Sequence, residues 1–328
     1  MRKIVILFLL VLLCLILLGI SPYIGPTKID IINALKNPQS QEGIVFFKIR
    51  LPRVLLAFLV GASLSLGGAV FQSLFRNSLA TPYTLGASSG SSLAVVIAIH
   101  LGLEGLTGSV PMTVIFALTG GLLFLFLLYF IMKNKHGFVP ENLLLAGVTL
   151  GYLASAAILF IYYISSYGET QQMIYWTMGN LDTVGYRYVL IVIPAFLVVY
   201  PYLQYKAGAL NLLSFGSDFA ATRGVNVKST QRNLLIMVSI LISTCVSVSG
   251  PIGFVGLIIP HVIRRSLGAD HRLLLPASVF AGGILLIFCD TIARSFFAPS
   301  DLPVGIITAI IGGPFFMFLL KKKSFYFK

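Results

Sequence analysis

Few side chains in this sequence are of types that could do chemistry, and they do not cluster. The chain has four histidines, three cysteines and ten carboxylates among 328 residues. His261 and His271 stand ten residues apart without further ligand types at metal-site spacing, so the pattern does not predict a metal centre. A haem-ligating role for His100 or His261 stays open, although no pattern supports it.

The cysteines and the one phosphate-loop-like run of glycines fit structural roles better than chemical ones. Cys14, Cys245 and Cys289 each lie in an apolar segment, at spacings that fit neither zinc nor a disulfide framework, and they are predicted to be buried side chains. Gly250–Gly256 has the glycines of a phosphate loop but lacks the closing Lys and Ser/Thr. No Walker motif occurs in the chain, so any ATP hydrolysis is expected on a separate polypeptide.

Asp290 is the carboxylate that the sequence places inside an apolar segment. An ionisable side chain within a membrane is a functional candidate by default. Arg294 follows four residues later, on the same face of a helix, where opposite charges can pair. The favoured prediction is therefore a structural ion pair, and a proton-relay role is the alternative.

Composition places these residues in a helical membrane protein. The chain is 57% hydrophobic and 10% charged, with a mean hydropathy of +0.96, whereas soluble domains carry about 25% charged residues. The apolar runs are about 20 residues long, as in membrane-spanning helices and unlike barrel strands. The predicted fold is an all-α polytopic membrane protein with a single transmembrane domain over 1–328.

Apolar runs and turn signals predict about ten spans, of which the third and eighth are short or broken. Their approximate limits are 4–20, 54–73, 84–101, 109–132, 141–163, 188–205, 233–250, 252–267, 273–294 and 303–320. Tyr167–Asp182 is too polar to span and predicts a short helix at the outer surface. Spans 2–5 and 7–10 each place small residues before a Gly/Pro-rich break, which predicts two inverted pseudo-repeats.

Basic residues set the orientation of this topology. It places sixteen of the 23 Lys and Arg residues inside and seven outside, as the positive-inside rule requires. Both termini are therefore predicted to be cytoplasmic. The run Ile4–Ile20 is long for a signal peptide and lacks a small-x-small cleavage site, so an uncleaved first span is expected. The same cytoplasmic bias accounts for most of the net charge of +13 without a nucleic-acid partner.

Ser249–Arg272 begins as a membrane span and then breaks. Pro251, Pro260 and three glycines interrupt it, and its end is strongly polar. A proline removes a backbone hydrogen bond, and in lipid the freed groups must find partners inside a bundle or beside a watery cavity. Broken spans of this kind are typical of transporters.

This stretch resembles the second-half signature of the FecCD-like family, the permeases of ABC importers for iron chelates and vitamin B12. The resemblance covers nearly the whole chain in the family's order. Four shorter motifs also carry it: Arg50-Leu51-Pro52-Arg53, Asn77-Ser78-Leu79-Ala80-Thr81-Pro82, Tyr175-Trp176-Thr177-Met178-Gly179 and Leu302-Pro303-Val304-Gly305. The resemblance implies that two copies of a ten-span permease enclose one central pathway.

The resemblance also implies an outer docking site made of Arg50, Arg53 and Arg294. The first two flank Pro52 at the outer start of the second span, and Arg294 lies at the outer end of the ninth. In the family, arginines at matching positions receive acidic residues from the two lobes of a substrate-binding protein, and opposed charges steer such encounters. The alternative is interfacial arginines that snorkel to the membrane surface.

Leu212–Arg232 is the most polar inside loop and predicts a short helix that ends at a glycine. The resemblance places the contact with a partner ATPase here. The residues assigned to it are Gly216, Ser217, Asp218, Ala220, Ala221, Arg223 and Gly224. The acid stands one position later than in the family's usual pattern, and a plain basic loop is the alternative.

The resemblance further implies a cytoplasmic gate beside the pathway. Asn77 and Leu79 belong to a break that runs to Pro82, and Pro140 and Glu141 open the fifth span nearby. That span would line the pathway up to its outer end. Its candidate lining residues are Ser155, Tyr162, Tyr163 and Ser166. For each of these residues, helix packing or capping is the alternative.

These features predict the permease subunit of a binding-protein-dependent ABC importer for ferric siderophores, haem or vitamin B12. Such a chain is not an enzyme and binds no cofactor, because ATP and Mg²⁺ would be held by a separate ATPase dimer. The other expected partners are a substrate-binding protein, a second permease copy and the lipid of a bacterial or archaeal plasma membrane. Its work would be alternating access between inward and outward states.

Two other classes stay open. An ion-coupled secondary transporter usually needs buried acids or histidines as relays, and uptake abolished by an uncoupler at constant ATP would favour it. An intramembrane enzyme would need a cluster of acids or of His, Cys and Ser near one membrane face, and activity of the purified chain alone would favour it.

Overall fold

The computed structural model of this chain is mostly helical. It describes residues 2–27, 30–81, 83, 86–103, 105–107, 110–132, 140–296 and 301–321. The first elements in chain order are α1 (Arg2–Ile20), a 3-10 turn (Ser21–Tyr23), α2 (Ile31–Lys36), α3 (Gln41–Ile44), a π-helical segment (Val45–Arg50) and α4 (Leu51–Leu74). The π-helical segment joins α3 to α4 without a break.

The middle of the chain contains a small β hairpin and a short polar helix among longer helices. Its elements are α5 (Ala87–His100), β1 (Leu106–Thr107), β2 (Val110–Pro111), α6 (Met112–Met132), α7 (Pro140–Ile164), α8 (Tyr167–Thr177) and α9 (Arg187–Tyr205). The two strands pair antiparallel. A capping box between Ser166 and Glu169 starts α8, so local polar chemistry defines this short helix.

The last part of the chain begins with two short helices and ends in four long or broken ones. Its elements are α10 (Ala207–Ser214), α11 (Ser217–Thr222), α12 (Val227–Ser249), α13 (Val255–Leu267), α14 (His271–Phe296) and α15 (Val304–Lys321). Each of the ten predicted spans coincides with one of the described helices, and the predicted short outer helix is α8.

Seven helices among the described residues are long and apolar enough to cross a membrane. The third and eighth predicted spans are α5 and α13, with 14 and 13 residues. At about 1.5 Å per residue both are shorter than the hydrocarbon core of about 30 Å, as the sequence predicts. The helices α2, α3 and α10 and the β hairpin have no counterpart among the predicted elements.

Helix α4 lies at the centre of the bundle, and most of its side chains are buried. Gly61 lies against the carbonyl of Gly282 in α14, and Gly68 lies against the carbonyl of Gly256 in α13, so closely that a Cβ at either position would overlap backbone. The hydroxyl of Ser65 donates to a backbone carbonyl of α14 at 2.6 Å. Small residues at such contacts let membrane helices approach closely.

The backbone leaves the helix for five residues between α12 and α13, beginning at Gly250 with φ +63°. The hydroxyl of Tyr83 contacts both the N–H and the carbonyl of Ile252. The N–H of Asn180 donates to the carbonyl of Ser249 at 2.7 Å. The broken span therefore finds partners for freed backbone groups inside the protein, as a break at membrane depth requires.

The three cysteines have the structural role that their spacing predicts. Cys14, Cys245 and Cys289 are all buried and free of disulfide bonds. Each fills space within the helix bundle as a small apolar side chain.

We predict that Gly68→Ala destabilises the protein by about 1–3 kcal/mol, because the added methyl group would overlap backbone of α13. Gly313→Ala is the matched control, since nothing lies within 4 Å of its would-be Cβ. Thermal unfolding of the detergent-purified variants measures the difference. Equal melting temperatures would show that α4 and α13 do not depend on this close approach.

Candidate functional site

Arg53 is the centre of a buried ionic cluster at the predicted outer end of the bundle. Its side chain is 4% exposed. Its Nε donates to Asp290 Oδ1 in α14 at 2.8 Å, and its Nη1 donates to Asp301 Oδ2 at 2.5 Å. Asp182 lies farther away, 3.8 Å from Nη1. The cluster joins α4, α14 and the segment that leads into α15.

Arg294 and Arg50 are buried beside this cluster and hold the turn that follows α1. Arg294 Nη2 donates to the carbonyl and hydroxyl of Ser21 at 2.5 and 2.7 Å, and its Nε lies 3.6 Å from Asp290 Oδ2. Arg50 donates to three backbone carbonyls after α1, at 2.5 to 3.3 Å. The two arginines therefore fix the chain between α1 and α2.

A docking role would lead one to expect Arg50, Arg53 and Arg294 on the surface, but the structure does not place them there. Docking by these arginines stays a prediction. All three side chains are buried and donate to groups of the same chain. The predicted pairing of Asp290 with Arg294 is confirmed, but the shorter contact of Asp290 is with Arg53. That partner is 237 residues away in sequence, so helical spacing could not reveal it.

Two other cations at this end are exposed. The side chains of Lys48, before α4, and Arg187, at the start of α9, are both accessible. The N–H of Gly185 donates to the carbonyl of Lys48 at 2.6 Å, which places the two segments side by side. These two residues, which we call the outer basic pair, offer the positive charge that the buried arginines do not.

The predicted inner docking loop contains a short helix, α11, that is capped at both ends by left-handed glycines. Gly216 has φ +127° and Gly224 has φ +82°, which glycine adopts without steric cost. The N–H groups of Gly224 and Val225 return to carbonyls at the end of the helix at 3.0 and 3.1 Å. The predicted end of this helix at Gly224 is therefore confirmed.

The predicted docking residues divide by exposure. Those on the accessible surface are Asp218, Ala221, Arg223 and Gly224, while Ser217 is half-buried and Gly216 and Ala220 are buried. The buried pair packs the helix against the rest of the protein, because neither glycine nor alanine has a side chain larger than a methyl group. The accessible residues are free to contact a partner.

Two aromatic side chains that are not among the predicted docking residues dominate the surface of this region. Phe215 is 75% exposed, and its ring lies 5.6 Å from that of Phe219. The guanidinium of Arg223 stands over the ring of Phe219 at 5.5 Å, within cation–π range. Exposed aromatics next to arginine are typical of protein interfaces. The sequence signal that could have revealed this surface was the presence of two phenylalanines within a polar loop.

The predicted gate and pathway residues lie at different places along the bundle, and their role stays a prediction. Asn77 accepts from the N–H of Leu79 at 2.9 Å, so it caps the turn after α4, and Leu79 is exposed. Pro140 begins α7, while the side chains of Pro140 and Glu141, as well as Pro82, lie outside the described residues. Ser166 caps α8 beyond the other end of α7, about 36 Å away for a helix of this length.

Helix α7 presents a face that is accessible but not purely apolar. Tyr152, Ser155 and Tyr163 are exposed along it at helical spacing. The equally exposed helix α1 presents only apolar exposed side chains from Ile4 onward, including Phe8 and Leu15. The hydroxyl groups on α7 are better suited to a hydrated path or a protein contact than to lipid tails.

Two of the histidines, His100 and His271, lie within hydrogen-bond distance of neighbouring side chains. His100 Nδ1 lies 2.8 Å from Ser165 Oγ, and His271 lies between Ser73 and Asn211. In the described part of the chain, no three His, Cys, Asp or Glu side chains gather as a metal site would require.

Comparisons with known proteins agree with the arrangement of these helices. The model of the FecCD transport family matches residues 7–322. The chain belongs to the FecCD transport family. The hemin transport system permease protein of Yersinia pestis is 38% identical over 320 residues, which are 96% of this chain and 95% of that protein. The cobalamin import system permease protein of Halobacterium salinarum is 41% identical over 288 residues, which are 88% and 76% of the two chains.

A solved structure shows the same fold over the full length of this FecCD protein. It is described as an inward-facing conformation of a metal-chelate type ABC transporter, and it matches with a TM-score of 0.85 at 34% identity. The match covers 97% of this chain and 99% of the other. Family membership, first indicated by the motifs around Arg50 and Ser249–Arg272, is thus confirmed by sequence and by fold.

We predict that Asp290→Asn destabilises the protein by about 3–5 kcal/mol, because it leaves the buried Arg53 and Arg294 without their shared charge partner. Asp182→Asn is the matched control and should cost less than about 1 kcal/mol, since Asp182 is mostly exposed. Thermal unfolding in detergent measures both. Equal stability of the two variants would contradict a structural role for Asp290.

Proposed function

We propose that this chain is the permease subunit of a binding-protein-dependent ABC importer for a ferric siderophore, haem or a corrinoid. The observation that carries the proposal is the match over 97% of the chain to a metal-chelate type ABC transporter. Relatives that are hemin and cobalamin permeases support this substrate class. The chain itself does no covalent chemistry and binds no cofactor, and ATP and Mg²⁺ are held by a separate ATPase dimer.

The buried charges argue against an ion-coupled secondary transporter. A proton relay needs a carboxylate that can change its charge during the cycle. Asp290, the described carboxylate buried within a span, is paired with Arg53 at 2.8 Å and with Arg294 at 3.6 Å. Both arginines are themselves buried in the same chain, so Asp290 belongs to a structural ion-pair cluster and is poorly placed to relay protons.

The packing of the described helices supports ten crossings arranged as two inverted halves of a single domain. Helix α4 packs against α13 and α14, and helix α12 packs against α5 and α6. In a repeat of spans 2–5 as spans 7–10, these two sets of contacts are equivalent. A pseudo-two-fold axis in the membrane plane produces such reciprocal contacts. With an even number of crossings both termini lie on the same side of the membrane, and the excess of basic residues on that side favours the cytoplasm of a bacterial or archaeal cell.

A second copy of the chain would complete the pathway. The exposed face of α7, with Tyr152, Ser155 and Tyr163, is polar enough to line a hydrated path or to meet another protein. Two copies that face each other across this surface would enclose a path between them. Selection of the chelate would then rest mainly with the substrate-binding protein, because the described pathway candidates carry hydroxyl groups and few charges.

The outer basic pair is our candidate for first contact with an acidic substrate-binding protein. Lys48 and Arg187 are exposed, whereas Arg50, Arg53 and Arg294 are engaged inside the chain. Exposed charges steer diffusional encounter. The buried arginines would then support the docking surface from below.

The inner partner would bind the surface formed by Phe215, Phe219 and Arg223. This surface lies on and beside α11. Glycines with positive φ flank this short helix at both ends. A rigid short helix can pass motion from a motor subunit into the membrane domain. Binding hot spots are enriched in aromatic residues and arginine.

We predict that Phe215→Ala lowers co-purification of the ATPase subunit about tenfold or more, because loss of an interface aromatic commonly has this effect. Phe296→Ala is the control, since Phe296 is equally exposed but lies at the outer end of α14. Quantified pull-down of the co-expressed complex measures both. Undiminished ATPase recovery with Phe215→Ala would place the docking surface elsewhere.

We predict that Lys48→Glu combined with Arg187→Glu slows association of the substrate-binding protein about tenfold at low salt, through lost electrostatic steering. Arg232→Glu combined with Arg265→Glu, an equally large charge change at exposed residues of the inner side, is the control. Surface-immobilised permease and stopped-flow binding measure the rates. A normal association rate for the double variant would remove the outer basic pair from the docking surface.

A further inference from the structure

We propose that a hydrogen-bond chain through Asn211, His271 and Ser73 transmits movement of α10 and α11 to the broken-span helix α13, so that these residues couple ATP hydrolysis to opening of the pathway. The inference rests on the proposed function, because it needs a motor subunit bound to α11. It assigns a positioning role to three residues that stand outside the docking surface and the predicted gate.

The first link joins α10 to the start of α14. Asn211 Oδ1 accepts from the N–H of His271 at 2.8 Å and lies 2.6 Å from His271 Nδ1. A backbone N–H can only donate, so the atom that faces it is the amide oxygen, and Nδ1 must carry the proton. Asn211 Nδ2 then donates to Asp270 Oδ1 at 2.7 Å. This bond, with a second from the N–H of Arg272, lowers the pKa of Asp270.

The second link joins α14 to the last turn of α4. His271 is buried, and its Nε2 lies 2.6 Å from Ser73 Oγ. A buried imidazole without a carboxylate partner is neutral, so Nε2 accepts and the Ser73 hydroxyl donates. The carbonyl of Ala69, also within reach of that hydroxyl, receives Arg264 Nη2 at 3.2 Å. Ser73 Oγ in turn accepts from Arg264 Nη2 at 3.4 Å.

The third link joins α4 to both ends of α13 through Gln72, the neighbour of Ser73. Gln72 Nε2 donates to the carbonyls of Gly256 and Leu257 in the first turn of α13, at 3.2 and 3.3 Å. Gln72 Oε1 accepts from Arg264 Nη1 in the last turn of the same helix. The helix that follows the membrane break is thus held to α4 along its length.

These links connect the inner docking helices to the broken span by bonds of defined direction. Helix α10 leads into α11 through Phe215 and Gly216 alone, so a displacement of α11 reaches Asn211 through a short connection. Apolar surfaces can slide past each other, but a buried hydrogen bond that slips leaves unpaired polar groups. Helices α10, α14, α4 and α13 are therefore expected to move together when α11 moves.

The test measures substrate uptake per ATP hydrolysed, in proteoliposomes that contain the full-length chain with its ATPase subunit. The substrates are haemin, a ferric hydroxamate and cobalamin. Each is supplied bound to its substrate-binding protein. In Asn211→Ala and in Ser73→Ala we expect normal ATPase recovery and hydrolysis, with uptake per ATP reduced about two- to thirtyfold. The double variant should fall no further than the single ones, because both cut one chain.

Matched variants separate coupling from general stability. Ser63→Ala is the control, since Ser63 is buried in the same helix and donates to the carbonyl of Leu59, outside the chain of links. Ser73→Thr keeps the hydroxyl and should restore coupling. His271→Asn keeps a donor toward Asn211 but loses the acceptor for Ser73. His271→Gln keeps the acceptor for Ser73 but loses the donor toward Asn211. Each variant therefore breaks one link. If Ser73→Ala does not assemble, the half-buried Asn211 and these His271 variants report on the same chain.

Wild-type uptake per ATP in Asn211→Ala and Ser73→Ala, with normal assembly, would overturn the proposal and leave the proposed function intact. Independent, multiplying losses in the double variant would also overturn it, because they would show two separate packing defects. Failure of the wild-type chain to recruit any ATPase would instead overturn the proposed function.

Discussion

The bundle depends on the close approach of α4 to α13 and α14. Gly61 and Gly68 present no side chain, so carbonyls of Gly282 and Gly256 lie directly against them. Lipid tails are as apolar as leucine, and helices in a membrane therefore associate through close packing and polar bonds instead of through hydrophobic transfer. The bond from Ser65 to backbone of α14 is one such contact, and it is possible because the backbones are so near.

This central helix carries polar side chains toward its two ends. Arg53 near its start gathers Asp290 and Asp301, and Gln72 and Ser73 near its end connect α13 and α14. Buried charges and amides are costly unless they are paired, so both groups restrict α4 to one position among its neighbours. A single buried helix thus links the predicted outer mouth to the proposed inner docking helices.

Much of the fold could be predicted from local sequence properties. Hydropathy located the helices that form the spans, and the prolines and glycines of Ser249–Arg272 indicated a break before the short helix α13. The residues around Ala220 together with Gly224 predicted the helix α11. These features are local because a helix needs only its own residues to satisfy its backbone. The short helices α2 and α3 were not predicted, because six and four residues are too few to show a hydropathy pattern. Only their N-cap residues, Asp30 and Ser40, mark where they begin.

The candidate site was less predictable, because its contacts connect residues far apart in the sequence. Nothing near Arg53 in the sequence indicated that it would pair with Asp290 inside the protein. In the same way, Ser73 and His271 are in contact although they are 198 positions apart. Exposure of an arginine depends on which acids the fold brings to it, and the motif alone did not contain that information. The aromatic pair Phe215 and Phe219 was visible in the sequence, but its exposure became clear only once α11 was placed.

The most direct test of the account is ATP hydrolysis by the reconstituted complex. The chain would be co-expressed with its candidate ATPase subunit, placed in proteoliposomes and exposed to binding protein loaded with a ferric chelate, haemin or cobalamin. The account predicts stable co-purification and hydrolysis that one loaded binding protein stimulates, together with uptake of that ligand. A chain that recruits no ATPase and still moves solute would contradict it.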